Sequence, residues 1–119
     1  MVSGIIDSVM KLSELLRENQ RRQAFGALTD GDAACAVAQM FEQAFGVPTE
    51  RVGIDRESQL LRWILQVYRI EIPPRADTCG KCGLPFQLPE GLSGYVIHLN
   101  DAHLASKSVI IEALEALGL

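Results

Sequence analysis

Basic residues are the minority among the charges: 11 Lys and Arg stand against 15 Asp and Glu, a net charge of -4. A chain so balanced is not drawn to a polyanion by bulk charge, and Leu84 to Ala105 contains no Lys or Arg to neutralise a phosphate or read a guanine edge. Long apolar runs are missing too. Nowhere do about 18 consecutive apolar residues occur, the minimum for a bilayer-spanning helix, so no membrane integration is expected. Cysteine is scarce: three residues, an odd number, two of them close together. That argues against a disulfide framework and for a metal in a reducing compartment. The start, Met1 to Asp7, lacks a basic leader, and Asp7 and Lys11 interrupt the apolar stretch of a signal peptide, so a cytoplasmic protein is expected. Phosphate-binding glycine loops and Gly-x-Ser-x-Gly elbows are absent.

Apolar residues make up 48% of the 119 positions, enough for one modest core, so a single domain spanning 1–119 is expected. Its first part, 1–72, reads as helical. Ile5, Val9, Leu12 and Leu16 recur at helical spacing, with Ile6, Met10 and Leu15 widening the stripe. Arg17, Arg21 and Arg22 gather at its end, where cations suit the helix dipole and where an anionic partner could also dock. After the turn Thr29-Asp30-Gly31-Asp32, a second helix is expected from about Asp32 to Gly46, burying Ala34, Val37, Ala38, Phe41, Ala44 and Phe45. Cys35 falls among small residues there and reads as a buried apolar side chain. Asp55 is placed to cap a third helix running to about Tyr68, which buries Leu60, Leu61, Ile64, Val67 and Tyr68, with Pro73-Pro74 beyond it barring any continuation. Trp63 sits at the edge of that stripe, and Ile70-Glu71-Ile72 reads as a short extended piece.

From 76 to 106 glycine, proline and cysteine replace the helical period, and the segment reads as a knuckle. Cys79-Gly80-Lys81-Cys82-Gly83 sets two thiols at a spacing that lets both face one ion. Beyond 15 residues comes His98, and beyond four more His103, so the pattern is Cys-x2-Cys-x15-His-x4-His. Two thiolates and two imidazoles suit tetrahedral zinc, which points to one structural Zn2+ on Cys79, Cys82, His98 and His103. Residues five apart on an ideal helix lie about 140° apart around its axis and cannot face a common ion. The helix expected from about Ser93 to Asp101 must therefore loosen before His103, and Asn100-Asp101 is the place chosen for the break. Asp101 reads as a helix terminus or as a carboxylate accepting from a ligand imidazole. Ser106 is placed to cap the final helix, 107–119, with Ile110, Leu114 and Leu117 inward. The fold class expected is mainly α: a small bundle of about five helices with a Cys2His2 zinc knuckle inserted before the last two.

Residues 79–103 resemble Cys2His2 zinc fingers, with Phe86 and Leu92 at the positions of the finger core. Tyr95 stands where a finger has its first histidine, about one helical turn early. The string His98-Leu99-Asn100-Asp101-Ala102-His103 resembles a signature near the C-termini of a group of small phage and bacterial proteins. Some of these also carry a Gly-Ala-Leu and a small-residue helix with cysteine, here Gly26-Ala27-Leu28 and Cys35-Ala36-Val37. Where they continue with Trp and an acidic-Ile-Ala ending, this chain has Ala105-Ser106-Lys107-Ser108. The resemblance implies a phage or mobile-element origin and no particular activity.

With both histidines engaged by metal, no nucleophile has a base, and a non-enzymatic module that binds another protein is expected, such as a phage-encoded regulator or inhibitor of a host protein. A nucleic-acid-binding regulator is the alternative; it requires Arg17, Arg21, Arg22, Arg56, Arg62 and Arg69 to converge. A zinc hydrolase is the second alternative, with Glu90 as the only nearby base, but it needs an open coordination position. The broad N-terminal stripe would also allow a homodimer.

Overall fold

A computed structural model describes residues 11–53 and 56–119 of the chain. Five α-helices run through them: α1 Leu12–Glu18, α2 Ala36–Phe45, α3 Glu57–Val67, α4 Leu92–Ile97 and α5 Lys107–Ala116. A 3-10 turn covers Thr49–Arg51 and a π-helical turn covers His98–Ala102. Two small sheets accompany the helices. One joins β1 (Arg22–Gln23), β2 (Thr29–Asp30) and β3 (Ala33–Ala34) in the order β1-β3-β2; the other is the antiparallel pair β4 (Arg75–Thr78) and β5 (Pro85–Leu88). The described part thus has five helices and two small sheets, where a mainly α bundle with a zinc knuckle and one short extended piece at 70–72 was expected.

The apolar period makes the helices, and their buried faces make the core. α1 contributes Leu12, Leu15 and Leu16, which pack within the chain against α2 and α5; Ile5, Ile6, Val9 and Met10 lie outside the described residues. α2 buries Val37, Ala38, Met40 and Phe41 and ends where Gly46 turns left-handed (φ 72) and donates to the carbonyl of Glu42 over 2.8 Å. It starts later than expected, at Ala36, because Ala33-Ala34 pair instead with Thr29-Asp30 across the two-residue turn Gly31-Asp32 and, in parallel, with Arg22-Gln23. Gly31-Asp32, with glycine left-handed (φ 62) at the first loop position, is a dipeptide that signals such a hairpin.

α3 buries Leu60, Leu61 and Ile64, and Tyr68 donates its hydroxyl to the carbonyl of Ala44 over 2.7 Å. Val67 is not in the buried stripe as expected but 60% exposed. The helix ends at Val67, one residue before the expected Tyr68, and what stops it is not Pro73-Pro74 but Arg69, which turns left-handed (φ 53) while Ile70 donates back to Leu65. Asp55, the expected cap, lies outside the described residues. Trp63 plugs the rim of the core beside Phe41, ring centroids 6.3 Å apart. Ile70-Glu71-Ile72 forms no strand, although both isoleucines pack on the core. Among the described residues no helix is long and apolar enough to cross a membrane.

Candidate metal centre

The hairpin β4–β5 presents the cysteines. Its last pair, Thr78 with Pro85, leaves residues 79–84 to close the loop. Cys79 donates its N–H to the carbonyl of Leu84, and Gly83 donates to the carbonyl of Cys79, both over 2.8 Å. Gly83 takes a left-handed φ of 77 that a side chain would resist, whereas Gly80 does not; only the second of the two glycines is needed for its conformation. The Lys81 N–H points at the sulfur of Cys79 over 3.4 Å. The strands on either side of this loop went unrecognised in the sequence because Arg75–Thr78 is mostly exposed with no apolar period, and Pro85–Leu88, although Phe86 and Leu88 alternate inward, is only four residues long.

The histidines come from the far end of α4. Leu92, Tyr95 and Val96 anchor that helix in the core, and Tyr95 stacks on Phe86 of β5 with ring centroids 4.2 Å apart. The hairpin and the helix are held against each other by that stack. Gly91 joins them: its N–H donates to the carbonyl of Gln87, and a Cβ there would meet that same oxygen at 2.7 Å.

After Ile97 the helix widens. The N–H of His103 donates to the carbonyl of His98 over 3.2 Å, an i to i+5 bond, so one π turn carries the chain from the first histidine to the second. This resolves the five-residue spacing, since the wider turn returns both imidazoles to one side. The loosened turn, His98–Ala102, takes in Asn100 and Asp101, the place chosen for the break; the left-handed residue comes after it, at Leu104 (φ 49), 64% exposed, beyond which Ala105 donates to the carbonyl of Leu99.

Cys79, Cys82, His98 and His103 meet here. Their ligand atoms all lie within 4.8 Å of one another, close enough to hold a metal ion. Cys82 Sγ is 3.2 Å from His98 Nε2, and Cys79 Sγ is 3.6 Å from His103 Nε2. Metal–ligand lengths of about 2.3 Å to sulfur and about 2.0 Å to nitrogen put the edge of a tetrahedron at roughly 3.5 Å, which matches these pairs. The two rings stand edge to face with centroids 4.6 Å apart. Burial works against ionising the Cys79 thiol, but the N–H groups of Lys81 and Cys82, the Cys82 thiol and the Lys81 charge outweigh it and hold its pKa below the ordinary value. Cys35 is the contrast: buried at the start of α2, its thiol is pushed up to about 11 and it takes no part in the cluster.

Between the ligands lies a residue that spacing arguments undervalued. Asn100 is fully buried. Its amide donates to the carbonyl of Ala24 at 2.8 Å and to the carboxylate of Asp101 at 2.6 Å. Its oxygen accepts from the Gln23 side chain at 2.8 Å and from the Ala36 N–H at 3.3 Å. Asp101 accepts from the Gly26 N–H at 2.9 Å. The turn that carries both histidines is therefore tied to β1 and to the start of α2. Nothing in the local sequence His98-Leu99-Asn100-Asp101-Ala102-His103 announces this burial; once buried, such a side chain must find partners, and these are distant in sequence.

Elsewhere the candidates separate. Glu90 lines a cavity of about 260 Å³ with Ser58, Leu61, Arg62, Leu65, Pro89 and Ser93, none of them a residue of the Cys/His cluster. Arg21 bonds both Glu42 and Glu50 and the carbonyls of Gly31 and Asp32, Arg17 pairs with Glu115, and Arg22 pairs with Asp32. The chain matches no family model, no curated protein and no solved structure. What the centre can do follows from its donors and their geometry.

Proposed function

We propose that Cys79, Cys82, His98 and His103 hold one zinc ion as a structural centre, and that the chain is a non-enzymatic module that binds another protein. The observation that carries the first half is the convergence of two sulfurs and two Nε2 or equivalent ring nitrogens within 4.8 Å. Borderline-soft Zn2+ takes this donor set, and four protein donors complete its tetrahedron without leaving a position for a reacting water. Glu90 opens on a different cavity, and the apolar hollow beside His98, lined by Leu84, Phe86, Gly91, Gly94 and Tyr95, has no carboxylate to act as a base.

Support for a protein partner over nucleic acid comes from the arginines. Arg17, Arg21 and Arg22 are each engaged by carboxylates, so the cluster is neutralised internally and offers little to a phosphate backbone. Exposed apolar side chains instead flank the metal centre in sequence: Leu84 follows the cysteine loop and Leu104 follows His103. The phage-encoded regulator of a host protein is the biological form of this proposal that the signature motif favours.

Metal analysis of protein purified without chelator tests the first half; one zinc per chain is expected, and a folded, metal-free chain would refute it. The second half is tested by duplex DNA binding at rising salt. Binding that weakens steeply with salt, through Arg56, Arg62 and Arg69 in and beside α3, would replace the protein partner with nucleic acid.

A further inference from the structure

The two sulfurs of the centre differ in a way that coordination does not require. Cys79 is 3% exposed and belongs to the core, whereas Cys82 lies on the surface. The third thiol, Cys35, is as deeply buried as any core residue. A small oxidant arriving from solvent therefore meets Cys82 before either of the others. Behind Cys82, within 4.8 Å, is the sulfur of Cys79, on the same six-residue loop. A disulfide needs the two sulfurs at about 2.0 Å, and Gly80 and Lys81, the residues that separate the cysteines, lie on the loop and not on a helix, so closing the gap is a movement within the loop.

Resting on the zinc reading above, we propose that this centre is a peroxide-sensitive site in which Cys82 is oxidised first, Cys79 resolves it, and the ion is released. The Cys82 thiolate attacks one oxygen of hydrogen peroxide; the S–O bond forms, the O–O bond breaks, and hydroxide leaves and takes a proton to become water. The Cys79 thiolate then attacks the Cys82 sulfur; the S–S bond forms, the S–O bond breaks, and the second hydroxide leaves as water with a second proton. Two thiolates have lost two electrons to one peroxide, and zinc keeps its charge throughout. It departs because thiolate is its ligand and disulfide sulfur is not. His98 and His103 lose their common ion, and their π turn is left to its own backbone bonds and to the Asn100 and Asp101 hydrogen bonds.

Zinc-loaded protein is treated with hydrogen peroxide while a chromogenic chelator reports free zinc, a sulfenic-acid trap is included at short times, and the thiols are mapped by alkylation and mass spectrometry. Zinc should leave in step with a Cys79–Cys82 disulfide, the mass falling by two hydrogens; the trap should mark Cys82; and reductant with added zinc should restore the starting state. Zinc retained under peroxide, a trapped sulfenate on Cys79, or Cys35 as the oxidised residue would each overturn the proposal. Cys82→His keeps four donors without the surface thiol, and zinc release should slow by more than about tenfold. Release from it at the wild-type rate overturns the proposal as well, and if that variant takes up no zinc, the position of the trapped sulfenate in the wild type decides. A wild-type chain that holds no zinc before peroxide is added refutes the metal reading itself, so the two failures are told apart.

Discussion

Asn100 donates its side-chain amide to the backbone carbonyl of Ala24 across 76 residues of sequence, over 2.8 Å and out of contact with water. Truncating it removes that donor and also the acceptor used by Gln23 and by the Ala36 N–H. A buried group left without a partner costs about 1–3 kcal/mol. Asn100→Ala should therefore lower the unfolding free energy by roughly 2–4 kcal/mol, measured by urea denaturation of the metal-loaded protein. A loss under about 0.5 kcal/mol would mean that water replaces the network.

Removing the metal should cost more than removing any one side chain. Binding energy at a structural zinc site is folding energy, on the order of 10 kcal/mol in small zinc domains. Chelator treatment, or His103→Ala, should abolish the ordered 75–106 region as seen by loss of amide protection there. Protection that survives chelation would contradict a structural role.

Gly91→Ala tests the join between hairpin and helix. The added Cβ would sit 2.7 Å from the carbonyl oxygen of Gln87, a backbone atom that cannot swing aside. A destabilisation of about 1–3 kcal/mol is expected, with weaker zinc affinity because the cysteine loop and α4 are pushed apart. Gly94→Ala is the control: nothing lies within 4 Å of a Cβ at that position.

Leu104 pays a conformational penalty with little burial in return. Its left-handed φ disfavours a branched apolar side chain, and 64% of it is exposed. Leu104→Asn should raise stability by about 0.5–1 kcal/mol, read as a higher thermal midpoint. If the same substitution weakens capture of a partner protein, Leu104 belongs to the binding surface.

Glu50 gives a pH signature. Hydrogen bonding from Arg21 holds its carboxyl below the ordinary 4.5, so the folded state takes up that proton less readily than the unfolded state. The contribution is complete above the ordinary value and disappears as the pH falls through the lower folded value. Wild type and Glu50→Gln should thus differ in stability at pH 7 and converge once the pH has fallen below the lowered folded-state value of Glu50. A difference that is constant with pH would show that the ion pair is not its source.

Helices were legible because their apolar period is local: Leu12, Leu15 and Leu16, or Leu60, Leu61 and Ile64, announce a buried face without reference to anything distant. The four donors were legible for the same reason, as was the need for a loosened turn between His98 and His103. The sheets were not. Strands of two residues have no period to read, and Ala33-Ala34 looked helical until its partners Arg22-Gln23 and Thr29-Asp30 were known. The role of Asn100 was hidden for a related reason, since Gln23, Ala24 and Ala36 are 64 or more residues away and nothing beside Asn100 in sequence names them. Val67 fitted the helical stripe, yet it is left 60% exposed at the last turn of α3.

Two separate demands meet in the stretch from His98 to His103. An ion needs only a pair of imidazoles one turn apart, and three intervening residues on an ordinary helix would satisfy it. The fourth gives Asn100 and Asp101 their own places facing Ala24 and Gly26 while the two rings still converge. Shortening the interval by one would leave a serviceable ligand set whose carrier no longer fits the N-terminal half, so the width of that single turn keeps both halves of the protein in register.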